Sequence, residues 1–501
     1  MQLLRRNCWI NDDLHPISAL ATVSDGISMK TAHSSHVSRL LVRLKHLIGL
    51  DRAIAFTVMG RFWQVMAGTV TVLLIARYLT PSEQGYYYTF ASLLSLQVVF
   101  ELGFSFVVLQ LTAHERAPLT FFPDGRIEGN AIARSRVASV LQKSIRWYSV
   151  AALLMVVTVL PAGIHFFSSH HQSGTAVLWR GPWCVVAVAV AVTFQLNPVF
   201  SFWEGCGFIW HVARMRLGQA MLGSALAWTA LATHHGLFAP AMVIVGQATV
   251  GLIFLLTGQR RRLLTTLLLH PVGEHCVGWW REIWPFQWKI ALSWLSGYFI
   301  FAIFNPLLFA YQGSVAAGRM GMSLTISGSV GVIAMAWMNT KASPFGNLVA
   351  RNEINTLDRL FFRTLGQSVA LCAAGAAVVF MGLLVVGPSY PKLAARVLTP
   401  WAFGMLLLTT LVNQVIFSEA LYLRAHKREP FLVPSVTGAF TTLGMTWVMA
   451  KFWGANAVAL GNFLSTALIG LPWGTYIFIS KRRQWHGPSV PLTNAVCVEK
   501  V

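Results

Sequence analysis

Twelve runs of about 20–25 predominantly apolar residues follow one another along the chain, and they constrain the fold more than any other feature. A helix needs about 20 such residues to cross the hydrocarbon core of a bilayer. Inside lipid a helix satisfies its own backbone hydrogen bonds, so helices are the expected form of these runs. The sequence therefore predicts an all-α polytopic membrane protein with about 12 transmembrane helices. The predicted spans are 55–78, 86–111, 147–168, 183–207, 212–232, 237–257, 286–310, 316–338, 361–386, 397–419, 431–450 and 455–479.

Charged residues make up only 11% of the 501-residue chain, whereas soluble domains carry about 25%. The net charge is nevertheless +21, a value that also suits nucleic-acid binding. The basic residues stand in short clusters between the apolar runs and form no continuous basic domain. This pattern excludes nucleic acid as a partner.

The distribution of Lys and Arg predicts the orientation of the chain, because cytoplasmic loops are enriched in these residues. If the N-terminus is cytoplasmic, 30 of the 38 Lys and Arg residues fall in inside segments and 3 fall in outside loops. The other 5 lie within spans or at their edges. We therefore expect both termini inside (N-in/C-in) and an even number of spans.

The spans and the segments between them divide the chain into six parts. Residues 37–52 place apolar side chains at helical spacing between basic ones, as in a helix that lies on an anionic membrane surface or acts as a topogenic signal. No apolar signal-peptide core is found before them, and Met29 is an alternative start. The predicted parts are a disordered cytoplasmic extension (1–36), the basic amphipathic juxtamembrane helix (37–52), an N-terminal six-helix bundle (53–257), a basic cytoplasmic linker (258–285), a C-terminal six-helix bundle (286–480) and a cytoplasmic tail (481–501).

The two groups of six spans form a weak internal repeat. The turn after span 1 reads LTPSEQGYYYTFASLL, and the turn after span 7 reads YQGSVAAGRMGMSLTI. Each places a glycine, Gly85 or Gly318, where the next helix starts. Because six is even, both copies keep the same orientation and the repeat is parallel. Repeats of this kind are typical of transporters whose pathway lies between the two halves.

Residues 50–480 resemble the Wzx-type polysaccharide flippases of the multidrug/oligosaccharidyl-lipid/polysaccharide (MOP) exporter superfamily. The resemblance rests on the stretches RFWQVMAGTVTVLLIARYLTPSEQGYYY, FELGFSFVVLQLTAHE and NQVIFSEALYLRAHKRE. It implies a MOP/MATE-like V of two six-helix bundles that alternate access to the two sides of the membrane.

The same resemblance implies a function and a location. The protein would carry an undecaprenyl-pyrophosphate-linked oligosaccharide repeat across the bacterial inner membrane, for O-antigen (lipopolysaccharide) or exopolysaccharide biosynthesis. The implied partners are this anionic lipid-linked oligosaccharide and membrane lipids, with a polysaccharide polymerase and chain-length machinery as further candidates.

Cationic side chains within two spans predict a hydrated, positively charged cavity, because an unpaired charge at the centre of a bilayer costs roughly 2.5–3.5 kcal/mol even on lenient scales. Arg61 and Gln64 belong to a polar stripe in span 1, and Lys289 heads a similar stripe in span 7. We expect them to bind the pyrophosphate and any acidic sugars; alternatively, the cations snorkel to the inner interface or pair with a carboxylate. Arg77 and Arg319 lie near the outer interface, where they either snorkel or form an exit-side cationic ring.

Acidic residues within the spans are the candidates for coupling. Glu101 lies too deep in span 2 to reach the interface easily, so it is the candidate carboxylate for proton or sodium coupling; an ion pair with Arg61 is the alternative. Glu204 and Glu419 occupy matching places in the two halves, and we expect ion pairs there. Their candidate partners are Arg214, Arg216 and Arg424.

Three other functions remain to be weighed. A cation-coupled multidrug exporter of the same superfamily would need a cavity that accepts cations, which arginine and lysine would repel. A polysaccharide polymerase or ligase would need a catalytic surface outside the membrane, and the outer loops hold only about 4–14 residues. A structural scaffold would leave the polar stripes unexplained. No nucleotide-binding loop, nucleophile–base motif or metal-ligand spacing occurs, so we expect no catalytic residue, cofactor or metal.

Overall fold

The protein is described by a computed structural model that covers residues 52–122, 126–170, 177–273, 275–426 and 430–486. The extension 1–36 and almost all of the predicted amphipathic helix 37–52 lie outside these residues, as does most of the tail. Each predicted span contains helix. The elements in chain order are α1 (Arg52–Tyr78), α2 (Pro81–Leu94), α3 (Gln97–Glu101), α4 (Phe104–Glu115), β1 (Leu119–Phe121), β2 (Ile127–Gly129), α5 (Ala131–Ser169), α6 (Arg180–Gly205), α7 (Ile209–Ala232), α8 (Ala239–Leu256), α9 (Gln259–Leu268), α10 (Trp284–Phe301), α11 (Phe304–Gln312), α12 (Ser314–Asn339), α13 (Ala342–Ala350), α14 (Ile354–Ser389), α15 (Pro391–Ala394), α16 (Pro400–Ala425), α17 (Leu432–Phe452), α18 (Ala455–Leu464) and α19 (Leu471–His486).

Among the described residues, nine helices are long and apolar enough to cross a membrane, and the number rises to eleven if each of two bent helix pairs is one span. The predicted fifth span, 212–232, is the helix α7 but does not meet this criterion. It mixes Arg214, Arg216 and Gln219 with its apolar residues, which lowers its mean hydropathy. The protein is thus a multi-pass helical membrane protein, as predicted.

Both bent pairs have an identifiable cause. The stretch Pro81–Glu101, which contains α2 and α3, meets α4 at 45°, where Leu102 and Gly103 both have positive φ. A side chain on Gly103 would also collide with Ile290 of α10, so the break requires glycine for two reasons. The helices α10 and α11 meet at 42°, where Pro306 lacks the amide hydrogen that would continue the helix.

The two halves pack against each other where the repeat-related helices α2 and α12 cross. At this crossing Gly85 and Gly318 face each other, and a Cβ on Gly318 would lie 2.9 Å from the Gly85 nitrogen. Small residues let two backbones approach this closely inside a membrane. Beside them, the Ser82 and Ser314 hydroxyls are 2.7 Å apart, and the Gln84 side chain donates to the Gly318 carbonyl at 2.8 Å. The repeated glycines of the sequence therefore lie at a contact between the halves.

An aromatic cluster extends this contact at the predicted outer end. Phe309 of the second half is buried between Tyr86 and Phe167 of the first, with ring centroids 4.9 and 5.3 Å away. Both ring pairs are edge-to-face, an arrangement favoured by the aromatic quadrupoles. This cluster belongs to the largest group of buried apolar residues, which spans both halves.

The segment between the halves is attached to α5. This helix has 39 residues, and at 1.5 Å per residue it is about 58 Å long, nearly twice the roughly 30 Å hydrocarbon core. Its first turns bind the linker: Gln142 donates to the carbonyls of Leu267, Leu268 and His270, and the Ser139 hydroxyl accepts from the Val277 amide at 3.1 Å. The predicted linker is therefore a docked structure that contains α9.

A short hairpin departs from the all-α prediction. The strands β1 and β2 pair antiparallel between α4 and α5, with Leu119 opposite Gly129. The hairpin is outside the predicted spans, and three-residue strands carry too little alternation to be predicted from sequence.

Candidate functional site

The first half contains a polar cavity of about 380 Å³ that six helices build. Within α6 the polar residues are four apart, and within α7 they are three apart, so each pair shares one face of its helix. Such stripes of amides and hydroxyls are unsuited to lipid contact and suit a hydrated cavity. We call this the first-half cavity. Its polar lining residues are Gln64, Glu101, Ser105, Asn197, Ser201, Arg216, Gln219 and Gln247.

Glu101 lies at the edge of this cavity, at the end of α3, where it is buried. Its Oε1 atom accepts a hydrogen bond from the Ser105 hydroxyl and a longer one, 3.3 Å, from the Tyr148 hydroxyl. Ser105 and Tyr148 are themselves 2.6 Å apart. The alternative of an ion pair with Arg61 is therefore wrong, because the break after α3 points the carboxyl toward hydroxyl groups.

Arg216 brings a cation to the same cavity. Its guanidinium lies 3.0 Å from Glu204 Oε1, so the predicted pairing of Glu204 is confirmed. The Gln219 amide donates to the backbone carbonyl of Gln247 at 2.8 Å. The Asn197 side chain has no hydrogen-bond partner among the described residues, which leaves its donor and acceptor for a ligand or water.

The predicted residues of span 1 adjoin this cavity. Gln64 lines it, and the exposed Arg61 donates to Gln64 Oε1 at 3.3 Å. Their helix α1 is attached to α7 by two tryptophans: Trp63 donates to Ser224, and Trp228 of α7 donates to Thr71. The structure thus brings Arg61, Gln64 and Glu101 to one region of the first half.

The other predicted cations lie elsewhere or outside the described side chains. The backbone of Lys289 is in α10, but its side chain is not described. Arg77 is exposed at the end of α1, 5.7 Å from the Tyr78 ring. Arg319 donates to the Ala395 carbonyl at 3.0 Å and lines a mostly apolar cavity of about 670 Å³ in the second half. Arg77 is not part of that cavity, so these two cations do not share a site there.

Glu419 does not have the ionic partner that we expected. Its Oε1 accepts from the Thr475 hydroxyl at 3.0 Å, and its Oε2 is buried with no hydrogen-bond partner among the described residues. Arg424, five residues further along α16, lies about half a turn away around the helix axis, so the two side chains point apart.

Sequence reasoning missed five polar residues of the first-half cavity, one of which is Ser105, four residues after Glu101. Asn197 and Ser201 are spaced i, i+4 in span 4, and Gln219 follows Arg216 by three residues in span 5. These spacings were a usable signal. Gln247 is the one amide in the apolar run 237–257, and its place at the cavity follows only from the packing of α7 against α8.

Comparison with known proteins identifies the fold. No family model matches the sequence, and no curated protein does. A multidrug resistance MATE family transporter of the MOP superfamily in an inward-facing conformation aligns with a TM-score of 0.65 and 14% identity, over 86% of this chain and 98% of the other. An outward-facing structure of such a transporter aligns with a TM-score of 0.55 and 14% identity, over 88% of this chain and 98% of the other. A MATE protein in a bent conformation aligns with a TM-score of 0.51 and 14% identity, over 88% of this chain and 98% of the other. The chain therefore has the two-lobe helical fold of these transporters, which confirms the predicted fold class.

Proposed function

We propose that the protein moves a lipid-linked oligosaccharide across a bacterial inner membrane by alternating access, for polysaccharide biosynthesis. The cargo is an anionic glycan repeat on undecaprenyl pyrophosphate. The proposal combines the resemblance of the sequence to polysaccharide flippases with the fold of transporters described in inward-facing and outward-facing conformations. A polymerase and chain-length machinery would receive the product on the outer face.

The chemistry of the first-half cavity is the observation that carries the proposal. Side-chain amides and hydroxyls are the groups that hydrogen-bond sugar hydroxyls, and this cavity presents four amides and two serines. Arg216 lines it, and Arg61 adjoins it through Gln64. Guanidinium groups bind phosphate or carboxylate in bidentate fashion. A cavity of this kind favours a hydroxylated anion over an apolar cation.

Transport in proteoliposomes tests the proposal. A fluorescent lipid-linked oligosaccharide is added to one leaflet, and its arrival in the other is followed by cleavage with a glycosidase that cannot cross the membrane. We expect Asn197→Leu to slow arrival about three- to tenfold at limiting substrate, because a lost neutral hydrogen bond is worth about 0.5–1.5 kcal/mol.

The matched control lies on the same helix. Gln195 donates to Ser149 at 3.0 Å and does not line the cavity. Gln195→Met should leave transport unchanged. If the wild-type chain moves no lipid-linked oligosaccharide, or if both variants are equally impaired, the proposed function or its site is wrong.

A multidrug exporter is the second candidate, because the aligned transporters are described as multidrug resistance proteins. Glu101 would then attract cationic drugs to the first-half cavity. Efflux of ethidium from the same proteoliposomes, without movement of the glycolipid, would support this function instead.

A further inference from the structure

The second half holds two adjoining cavities that differ in chemistry from the first-half cavity. Their volumes are about 380 and 230 Å³. Ile300, Phe301, Asn413 and Phe417 line both of them. The Phe301 and Phe417 rings are 5.9 Å apart, so they stand at the boundary between the two cavities. We call the pair the second-half groove.

Apolar surface dominates this groove even where polar residues line it. Thr409 and Thr410 donate their hydroxyls to the carbonyls of Met405 and Leu406 in their own helix, at 2.8 and 3.0 Å. Hydroxyls that are satisfied within the helix leave the methyl groups to face outward. The Gln414 amide donates to the Ser368 hydroxyl of the neighbouring helix α14 at 2.5 Å. The polar groups of these three residues are thus satisfied within the protein, and the Asn413 amide is a polar group at the boundary of the two cavities.

Glycines make notches along the groove. Gly297 and Gly328 line it on α10 and α12, and a Cβ at either position would meet no atom within 4 Å. Gly438 on α17 is a third notch, with Ile300 as its nearest neighbour at 3.8 Å. A row of such gaps suits a chain with regularly placed methyl branches.

One end of the groove carries a charge. Arg424, in the last turn of α16, is the one charged residue among the described side chains that line it. The positive-inside distribution places this end at the cytoplasmic side. An apolar groove that ends in a guanidinium complements a hydrocarbon chain that ends in phosphate.

We propose that the second-half groove binds the isoprenoid chain of the lipid-linked substrate, with the phosphate at Arg424. The sugars would then occupy the first-half cavity, so that each half recognises one part of the cargo. This inference rests on the proposed function. The combined space fits a segment of one branched chain, and the remainder of the chain would stay in the bilayer.

Photolabelling of the full chain in phosphatidylethanolamine–phosphatidylglycerol vesicles tests the inference. The probe is a geranylgeranyl diphosphate that bears a benzophenone, and mass spectrometry maps the adducts. We expect adducts on peptides that contain Phe301 or Phe417, and about tenfold less labelling in Gly297→Leu and Gly328→Leu. Leucine should not harm folding, because it favours a helix more than glycine does.

The control is Gly444→Leu. Gly444 lies in α17, has the same open space at its Cβ, and lines neither cavity. Its labelling should equal that of the wild type. Excess unlabelled polyprenyl diphosphate should abolish labelling of the wild-type chain, and this competition does not depend on any variant folding.

Three outcomes would overturn the inference. The first is labelling that both groove variants retain. The second is competition by dioleoyl phosphatidylglycerol that is as effective as competition by polyprenyl diphosphate. The third is full glycolipid transport in variants that no longer label. The last would leave the proposed function intact. Specific labelling at the groove in a protein that moves no glycolipid would instead uphold the groove and refute the proposed function.

Discussion

Glu101 shows how a single residue can be buried and still be available for chemistry. The break after α3 ends the helix beside the first-half cavity, so the carboxyl borders polar space instead of lipid. Ser105 and Tyr148 supply hydroxyl groups in a chain that leads away from it. A carboxyl in such a network can exchange a proton or bind a cation, and among the described residues that line this cavity no other is acidic.

We expect Glu101→Gln to remove the dependence of transport on an imposed proton or sodium gradient, because an amide still accepts the Ser105 hydrogen bond but cannot titrate. Glycolipid movement in proteoliposomes, measured with and without each gradient, reports the effect. Glu128→Gln, an exposed position of the hairpin, is the control and should respond to the gradient as the wild type does. Gradient-driven transport by Glu101→Gln would rule out Glu101 as the coupling group.

The close packing of α2 on α12 depends on positions where a methyl group cannot fit. A Cβ on Gly85 would collide with the Ser314 carbonyl. Gly85→Ala should therefore lower stability by about 1–3 kcal/mol through overpacking. The measurement is the thermal unfolding midpoint in detergent. Gly444→Ala adds the same methyl group in open space and should not lower the midpoint. Equal midpoints for Gly85→Ala and the wild type would show that α2 and α12 do not cross as closely as described.

The attachment of the linker to α5 includes an ion-pair cluster that is sensitive to pH. Arg136 is 2.8 Å from Glu115 and 2.5 Å from Glu282. Burial would raise the pKa of Glu282, but hydrogen bonds from the Gly278 amide and Arg136, with the nearby charge of Lys143, outweigh it and hold the pKa below 4.5.

A lowered pKa in the folded state means that the charged form stabilises the attachment. The stabilisation is complete above about pH 4.5 and is lost as the pH falls through the lower folded pKa. Hydrogen exchange of residues 275–283, corrected for intrinsic rates, should therefore increase on acidification. Glu282→Gln should exchange faster at neutral pH and lose this dependence; an unchanged profile in that variant would contradict the role of Glu282.

At the scale of the whole molecule, the two halves are in contact at the predicted outer end. Arg396 contributes a charged side chain to this contact. The guanidinium of this second-half residue donates to the Leu79 carbonyl at 2.5 Å and to Gln84 Oε1 at 3.4 Å, both in the first half. Gln84 in turn donates to the Arg396 carbonyl at 3.0 Å. Hydrogen bonds to charged groups contribute about 1.5–3 kcal/mol each.

We expect Arg396→Ala to shift the molecule toward states in which the outer end is open. Spin labels at His235→Cys and Lys392→Cys, in a chain without its six native cysteines, would report a larger share of long distances. Arg319→Ala is the control, because among the described residues Arg319 donates to Ala395 of its own half and to none of the first half. Identical distance distributions for Arg396→Ala and the parent would show that this contact does not hold the halves together.

Sequence periodicity predicted the helices and their division into two halves, because long apolar runs have few alternatives in a membrane. It also singled out Gly85 and Gly318, although not the fact that they touch. It failed where packing of separate helices decides the outcome: the orientation of Glu101 depends on a backbone break, and Gln247 joins the cavity only through the pairing of α7 and α8. Lys289 remains a prediction.

Because residues 277–282 are docked on α5, the helix α10 is connected to both halves. Its beginning is tethered to the first half through the linker, while its flank packs on α17 of the second. A rotation of the second half would therefore pivot at the start of α10. The helix would bend during this rotation at the 42° break after Phe301.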